Sequence, residues 1–307
     1  MAANTTSTLT QEAQTFYEKK FLARNEYESV FEQGAQMRDQ PKNGGDIVKF
    51  TRHTPLATVT TALTQGTNPA EVTLTAANVT AQLAEYGTTV KISRFLTLNG
   101  IDVTNAEKIE VVGQNMRETL DELVRNELFT GATVQFQAAK TALTALSASD
   151  VLKVKDIQLA VRTLKRNKAK RLNTAIAPWM GKLSPDTSYD LQQDTTWINA
   201  DTYNNGASQL YRGEVGKIAG ARLLESANPK HETSTGTEVY STFFHGDQAF
   251  GSINLEGDTA QVFIIPHTKI DSGNPAGRFS TVAWAASYVP KTLNAGWLVN
   301  VKVGITA

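Results

Sequence analysis

Four histidines, His53, His231, His245 and His267, are the only imidazoles in the chain. Imidazole is the side chain best suited to proton transfer near neutral pH and to holding a transition metal. Each stands alone in a strand or loop context. No HExxH, paired-histidine or EF-hand spacing is present, so metal chemistry is not expected and no cofactor is implied. Gly213-Glu214-Val215-Gly216-Lys217 superficially resembles a phosphate-binding loop, but the spacing is wrong and no Ser or Thr follows the lysine. A tight turn into a strand is the better reading. With no cysteine and no GxSxG elbow, and with serines and aspartates scattered, no catalytic residue is nominated and the chain reads as a non-enzyme. The remaining chemical feature is a cluster of six cations in ten residues: Arg162, Lys165, Arg166, Lys168, Lys170 and Arg171. Cations near a helix C-terminus complement its dipole, and no aromatics are interleaved, so this reading is favoured over direct nucleic-acid readout.

Thirty basic residues balance thirty acidic ones over 307 residues. No global field draws such a chain to nucleic acid or anionic lipid, and self-association meets little electrostatic resistance. An apolar content of 40% permits a proper core, and the length allows two ordinary domains. Without cysteine, mechanical strength must come from packing and hydrogen bonding, which fits a reducing cytoplasm. The opening MAANTTSTLTQEA lacks a basic n-region and an apolar h-region, and no run approaches the ~18 apolar residues of a membrane span. A soluble, unexported product with no membrane partner is expected.

The elements that would position any site are easier to read. Residues 104–129 spell one long amphipathic helix: Thr104 and Glu107 stand in capping-box order, and Ile109, Val112, Met116, Leu120 and Leu123 recur as one apolar stripe. Glu110, Arg117, Glu118, Asp121, Glu122 and Arg125 occupy the other faces, which are expected to stay hydrated or meet polar partners, with Asp121 and Arg125 spaced for an i,i+4 ion pair. Residues 1–34 read as an arm rather than a domain. After a small, polar start, Thr10 caps a helix carrying Phe16, Tyr17, Phe21, Tyr27, Val30 and Phe31, with Gly34 as its stop. Burying each large apolar side chain is worth about 1.5–3 kcal/mol, so the arm should dock on its own body or on a neighbour's.

From Asp46 to Leu98 the texture is that of strands, rich in threonine and alternating, with TQGTNPA and EYG as turns. This is read as a long hairpin with too few large side chains for its own core, either a sheet edge on the helix or a projecting loop that another subunit completes. A second helix is expected over 150–167, with Val151, Val154, Ile157, Val161 and Leu164 on one face. A strand at NTAIAPWM opens a mixed α/β unit. In it Ser184-Pro185-Asp186 starts a helix, and strands follow at 221–225, 238–244 and 261–266, with 247–250 as a turn or helical start. Strands at 281–289 and 297–305 then return beside the long helix.

This order of parts resembles the major capsid proteins of tailed bacteriophages. Local support comes from SPDTSYDLQQDTTW at 184–197, YRGEVGKIAGARLLESANP at 211–229, GDQAFG at 246–251 and the closing GRFSTVAWAASYVPKTLNAGWLVNVKV, which are similar to segments of a podovirus-like coat family. The resemblance implies an α+β fold in parts: an N-terminal arm at 1–34, an extended β-loop at 35–98 with its projecting part from about 42, a peripheral domain with a spine helix at 99–172, an axial domain at 173–274, and C-terminal strands at 275–307 returning to the peripheral domain. It also implies pentamers and hexamers that form the icosahedral head shell around double-stranded DNA, in a virion assembled in the host cytoplasm. Expected partners are many copies of the chain itself, a separate scaffolding protein, a portal, a possible decoration protein, and weak nonspecific contact with packaged DNA. Phe16, Tyr17, Phe21, Phe31, Ile47 and Val90 are the residues expected at inter-subunit contacts. Deleting 1–34 is expected to leave folded protein unable to close shells. The rival readings are a cytoplasmic oligomeric enzyme, a hydrolase or transferase with the hairpin as lid, and the shell subunit of a non-viral protein compartment.

Overall fold

The computed structural model describes residues 29–99, 105–172, 177–197, 214–234, 236–257, 260–270 and 273–306. In chain order the first elements are β1 (Gln36–Gln40), β2 (Ile47–His53), β3 (Ala76–Gln82), β4 (Ala84–Ser93), α1 (Arg94–Asn99), α2 (Asn105–Gly131), β5 (Thr133–Phe136) and α3 (Val154–Arg166). They are followed by β6 (Trp179–Leu183), α4 (Pro185–Gln192), β7 (Glu214–Ile218), β8 (Ala221–Glu225), β9 (His231–Ser234) and β10 (Thr237–His245). The last are β11 (Phe250–Leu255), β12 (Gln261–Ile265), β13 (Phe279–Thr292) and β14 (Leu298–Gly304).

The organising contact is between β13 and α2. Small and large residues alternate along β13, so Val282, Trp284, Ala286 and Tyr288 point to one buried face. That face takes the apolar stripe of the helix: Ile109, Val112 and Met116 form one core with Val282, Trp284 and Ala286. Two polar bonds fix the register, Trp284 Nε1 donating to Asn115 Oδ1 at 3.0 Å and the Thr292 amide to Glu127 Oε1 at 2.9 Å. At the helix end a Cβ on Gly131 would fall 2.0 Å from Thr292 Oγ1, so only glycine permits this approach. One edge of β13 pairs with β4, from Phe279 opposite Ser93 to Tyr288 opposite Ala84. Its other edge is shared by β12 and β11, and β1 adds to β11 in parallel.

The second sheet has the order β5-β14-β10-β6-β8-β7, with β9 on β10. Here β14 is buried along its whole length because both faces are covered. Val299, Val301 and Val303 meet α3, whose Ile157, Val161 and Leu164 face inward, while Leu298 and Phe243 meet Val124 and Leu128 of α2. The long helix therefore serves both sheets, β13 along its length and β10/β14 with its second half.

The structure departs from the sequence reading at several points. The polar side of α2 is divided: Glu118 and Glu122 stay exposed, whereas Arg117, Asp121 and Arg125 are buried because elements distant in sequence pack over them. The expected Asp121–Arg125 pair gives way to Arg125 with Glu122 at 2.6 Å and with the Asn228 side chain. The 46–98 hairpin divides. β2 and β3 form a separate two-stranded sheet, whereas β4 belongs to β13, and 71–75 is not a strand. The turn expected at 247–250 is present over 247–249, but the strand that follows it, β11, is not read from the sequence, and β11 and β12 lie in the first sheet beside β13 rather than in the second. The returning strands also part, β13 on the helix and β14 inside the second sheet. Thr104 and residues 173–176, with the cap and strand start read there, lie outside the described residues.

Leu128 is fully buried where α2 meets the second sheet, whereas Val111 on the same helix is 67% exposed. Leu128→Ala is predicted to cost about 2–5 kcal/mol in urea unfolding, and Val111→Ala to stay within about 0.5 kcal/mol of the parent.

Candidate functional site

Two places stand out as unlike ordinary core or surface. The first is the β2–β3 hairpin. Its root is packed: Val48 and Ala81 bury against Ile253 of β11. Thr51 Oγ1 to Asn78 Oδ1 at 2.9 Å and Gln82 Nε2 to Asp46 Oδ2 at 2.8 Å brace the ladder. Beyond the root, every residue from 51 to 78 is exposed. Leu56, Val59, Leu63, Val72 and Leu74 stand in solvent there, with Val59 82% exposed. Past the β2–β3 ladder, which ends at His53 opposite Ala76, the backbone hydrogen bonds among the described residues are Thr54 N to Thr75 O at 2.9 Å and the turn bond from Thr67 N to Thr64 O. Burying a large apolar side chain is worth about 1.5–3 kcal/mol, so a tip carrying five of them uncovered has stabilisation still to gain. Ile47, expected at a contact, is 52% exposed at the hairpin root, and Val90 is 37% exposed on β4, opposite Val282. They belong to different sheets, so the structure does not gather them into one site.

The second place is where residues 29–34 enter the body. Asp121, midway along α2, accepts from Phe31 N at 2.8 Å and from Ser29 Oγ at 3.0 Å. Lys182 on β6 is fully buried and donates to the Phe31 carbonyl at 2.5 Å, with its ammonium 4.6 Å from the Phe250 ring centre. Tyr288 donates to Glu32 Oε1 at 3.2 Å. Gly34 turns with φ +81°, and a Cβ there would sit 2.6 Å from the buried His245 ring. One helix and both sheets thus grip six residues of entering chain. Phe31, expected to touch a neighbour, is 2% exposed and fills the chain's own core edge-on to Phe243. Phe16, Tyr17 and Phe21 lie outside the described residues.

Burial dominates the electrostatics of this anchor. It pulls Lys182 down to about 7 against the pull of Asp121 and Glu32, and pulls His245 down to about 3, so the imidazole is neutral. The same burial pushes Asp121 and Glu32 up, against their hydrogen bonds from Phe31 and from Tyr288 respectively. Nothing in the local sequence WMGKL marks Lys182 as special, since its partners come from 32 and 121. Among the described residues no group of three His, Cys, Asp or Glu could hold a metal, and no helix is long and apolar enough to cross a membrane. The cluster has the chemistry of a clamp on the backbone of residues 29–34.

The pH dependence follows from these shifts. Between about 7 and 10.5 the unfolded chain keeps the Lys182 proton while the folded chain has released it, so stability rises with pH across that window. Asp121 and Glu32 act oppositely: raised on folding, they favour the fold in acid, and their contribution is lost as pH rises through their folded values. Lys182→Met is predicted to flatten the alkaline rise in urea midpoint measured from pH 7 to 10. An unchanged slope in that variant would assign the rise to another group.

No protein-family model matches the chain, and no curated protein matches it either. Solved structures do. The chain is similar to the capsid of Ralstonia phage GP4 with a TM-score of 0.67, 14% identity, and coverage of 91% of this chain and 89% of that one. It is similar to the Cyanophage Pam1 capsid asymmetric unit with a TM-score of 0.64, 18% identity, and coverage of 91% and 93%. A more distant likeness is to the virus-like particle from Pyrococcus furiosus, with a TM-score of 0.53, 7% identity, and coverage of 92% and 96%. A long helix laid on a long strand, a second sheet behind it and an uncovered hairpin therefore make up, in this chain, the fold of the tailed-phage major capsid proteins.

Proposed function

We propose that the chain is a major capsid protein whose copies form pentamers and hexamers and close into the icosahedral head around the double-stranded DNA of a tailed bacteriophage. The observation that carries this reading is the agreement in fold with phage capsid shells over most of both chains. The hairpin supports it physically. A chain that spends its large side chains on a core around α2 yet leaves 51–78 exposed has a surface that a second copy can cover. Closed symmetry then multiplies modest contacts into a stable shell.

In this reading residues 1–34 are the arm and the projecting loop runs from about 42. The peripheral part is α2 with the sheet around β13, which takes in β11 and β12, and the axial part is the second sheet with α3, so β5, α3 and β14 join the 173–274 region expected there while β11 and β12 leave it. Ile47 at the hairpin root and Val90 on β4 meet neighbouring subunits, as do Phe16, Tyr17 and Phe21 of the arm, whereas Phe31 anchors the arm to its own subunit. The protein resides in the virion and acts structurally, not as an enzyme. Assembly takes place in the host cytoplasm with a separate scaffolding protein, a portal and a decoration protein as partners.

A second reading is favoured by one observation, the likeness to a virus-like particle from an archaeon. It makes the chain the shell subunit of a protein compartment, with the same contacts and a different cargo. Nucleic acid extracted from particles purified from the native source separates the two.

The anchor sets where the arm can be cut. Because Phe31 is core and Ser29 is bonded to Asp121, removing 1–34 takes structural residues with it, and the informative deletion is 1–28. Protein lacking 1–28 is predicted to fold with an unchanged urea midpoint yet to give no closed shells by electron microscopy and light scattering under conditions where the full chain forms megadalton particles. Normal particles from the truncation would remove the arm from the mechanism. A full chain that stays a discrete small oligomer would remove the shell itself.

A further inference from the structure

The cations of α3 form a surface that the helix dipole explains only at Lys165 and Arg166, in the last turn, and not at Lys155 or Arg162. With Val154, Ile157, Ala160, Val161 and Leu164 buried against the second sheet, the outward face is Lys155, Gln158, Arg162, Lys165 and Arg166. At 3.6 residues per turn these five fall within about 100° of arc, and from Lys155 to Arg166 they span about 16 Å. The face carries no carboxylate. The helix's own acid, Asp156, is buried and accepts from the Lys153 and Ala138 amides. Asp194, near the helix start, is taken by the Val154 and Thr196 amides. Among the described residues the nearby acid that does pair is Asp247, with Lys170 at 2.7 Å. A dipole favours cations only in the last turn, and Lys155 sits in the first, where a cation is unfavourable.

The turn that follows points the same way. Lys168 has φ +52° and closes the helix, its amide donating to Lys165 O at 3.1 Å while the Ala169 amide donates to Leu164 O at 3.0 Å. Glycine fills this left-handed position with least strain. Here a lysine holds it and stays exposed. The helix end is rigid: Asn167 Nδ2 donates to Gly296 O at 2.7 Å and Trp297 Nε1 to Asn167 O at 3.2 Å.

We propose that Lys155, Arg162, Lys165, Arg166 and Lys168 form a docking surface for the phosphate backbone of double-stranded DNA. The proposal rests on the shell reading to the extent that the DNA is the packaged genome. Over about 16 Å a duplex presents roughly ten phosphate charges, more than enough to meet five cations. The face has no exposed aromatic or large apolar anchor of the kind that dominates protein interfaces, so a polyanion that needs only charge fits it better than a protein partner. The contact carries no base readout, since it holds cations and one amide on a convex helix rather than a reading head placed in a groove.

The test is fluorescence anisotropy of a labelled 30-base-pair duplex against the full-length protein across a sodium chloride series, with particle formation read in the same samples by light scattering. The parent is expected to bind with log K falling linearly with log salt. Arg162→Gln/Lys165→Gln/Arg166→Gln, changed only at exposed positions, should stay folded with a slightly lower urea midpoint, from the two last-turn cations lost to the dipole, and lose about three from that slope, at about 0.9 per phosphate contact. Lys168→Gly should separate charge from structure, gaining stability by relieving the left-handed lysine while losing about one from the slope. Absence of binding by the parent at 50 mM salt, or an unchanged slope in the triple variant, would overturn the proposal. So would displacement of the duplex by poly-glutamate at a lower charge concentration than by unlabelled DNA, which would point to an acidic protein instead. Particles without DNA binding would sink this inference and leave the shell reading standing, and DNA binding without particles would do the reverse to the shell reading.

Discussion

Everything in the fold depends on one side of a helix finding one side of a strand. β13 is fourteen residues long, α2 twenty-seven, and their apolar faces run together for most of the shorter element. The strand recruits β4 on one edge and β12 and β11 on the other, and the second half of the helix also reaches β10 and β14. A strand holding two different strands end to end along one edge needs both to enter in register. The Trp284–Asn115 bond near its middle and the Thr292–Glu127 bond at its end fix that register against the helix.

The same helix sets the electrostatic cost of the design. Asp121 faces inward at mid-helix, and with Glu32 and Lys182 it forms a buried charged group that replacement by apolar residues would make no less stable. What the group provides is position. Its hydrogen bonds go to the backbone and side chains of residues 29–34, so the start of the described chain is held at a defined place beside Gly34 and His245. Directional bonds do this better than greasy contact, which tolerates sliding. In the proposed shell each subunit would present its extensions from fixed points, and this anchor would supply one while the packed root at Val48, Ala81 and Ile253 would supply the other.

How much of this was legible follows from which signals are local. The apolar stripe of α2, the inward face of α3, the Ser184 cap of α4 and the alternation of β13 are legible, because a period of 3.6 or 2 is visible within a dozen residues. The partition of strands between sheets was not legible. β4 looks like the other threonine-rich strands, and only its pairing with β13 separates it from the hairpin. The charged side of α2 misled for the same reason, since Arg117, Asp121 and Arg125 look like a solvated face until 29–34 and 228–229 are brought over them. Phe31 was placed with the arm aromatics by sequence proximity and belongs to the core by contact. Lys182 had no sequence signature at all.

The central claim is that the subunit completes its own core and leaves residues 51–78 for another copy to cover. Hydrogen exchange measured by mass spectrometry, on dissociated subunits and on assembled particles of the same protein, tests it most directly. The account predicts that amides in 55–74, past the β2–β3 ladder, exchange with little protection in the subunit, while α2 and β13 are protected in both states, and that 55–74 slows markedly on assembly. Protection of 55–74 already in the isolated subunit, or fast exchange that persists in intact particles, would contradict it.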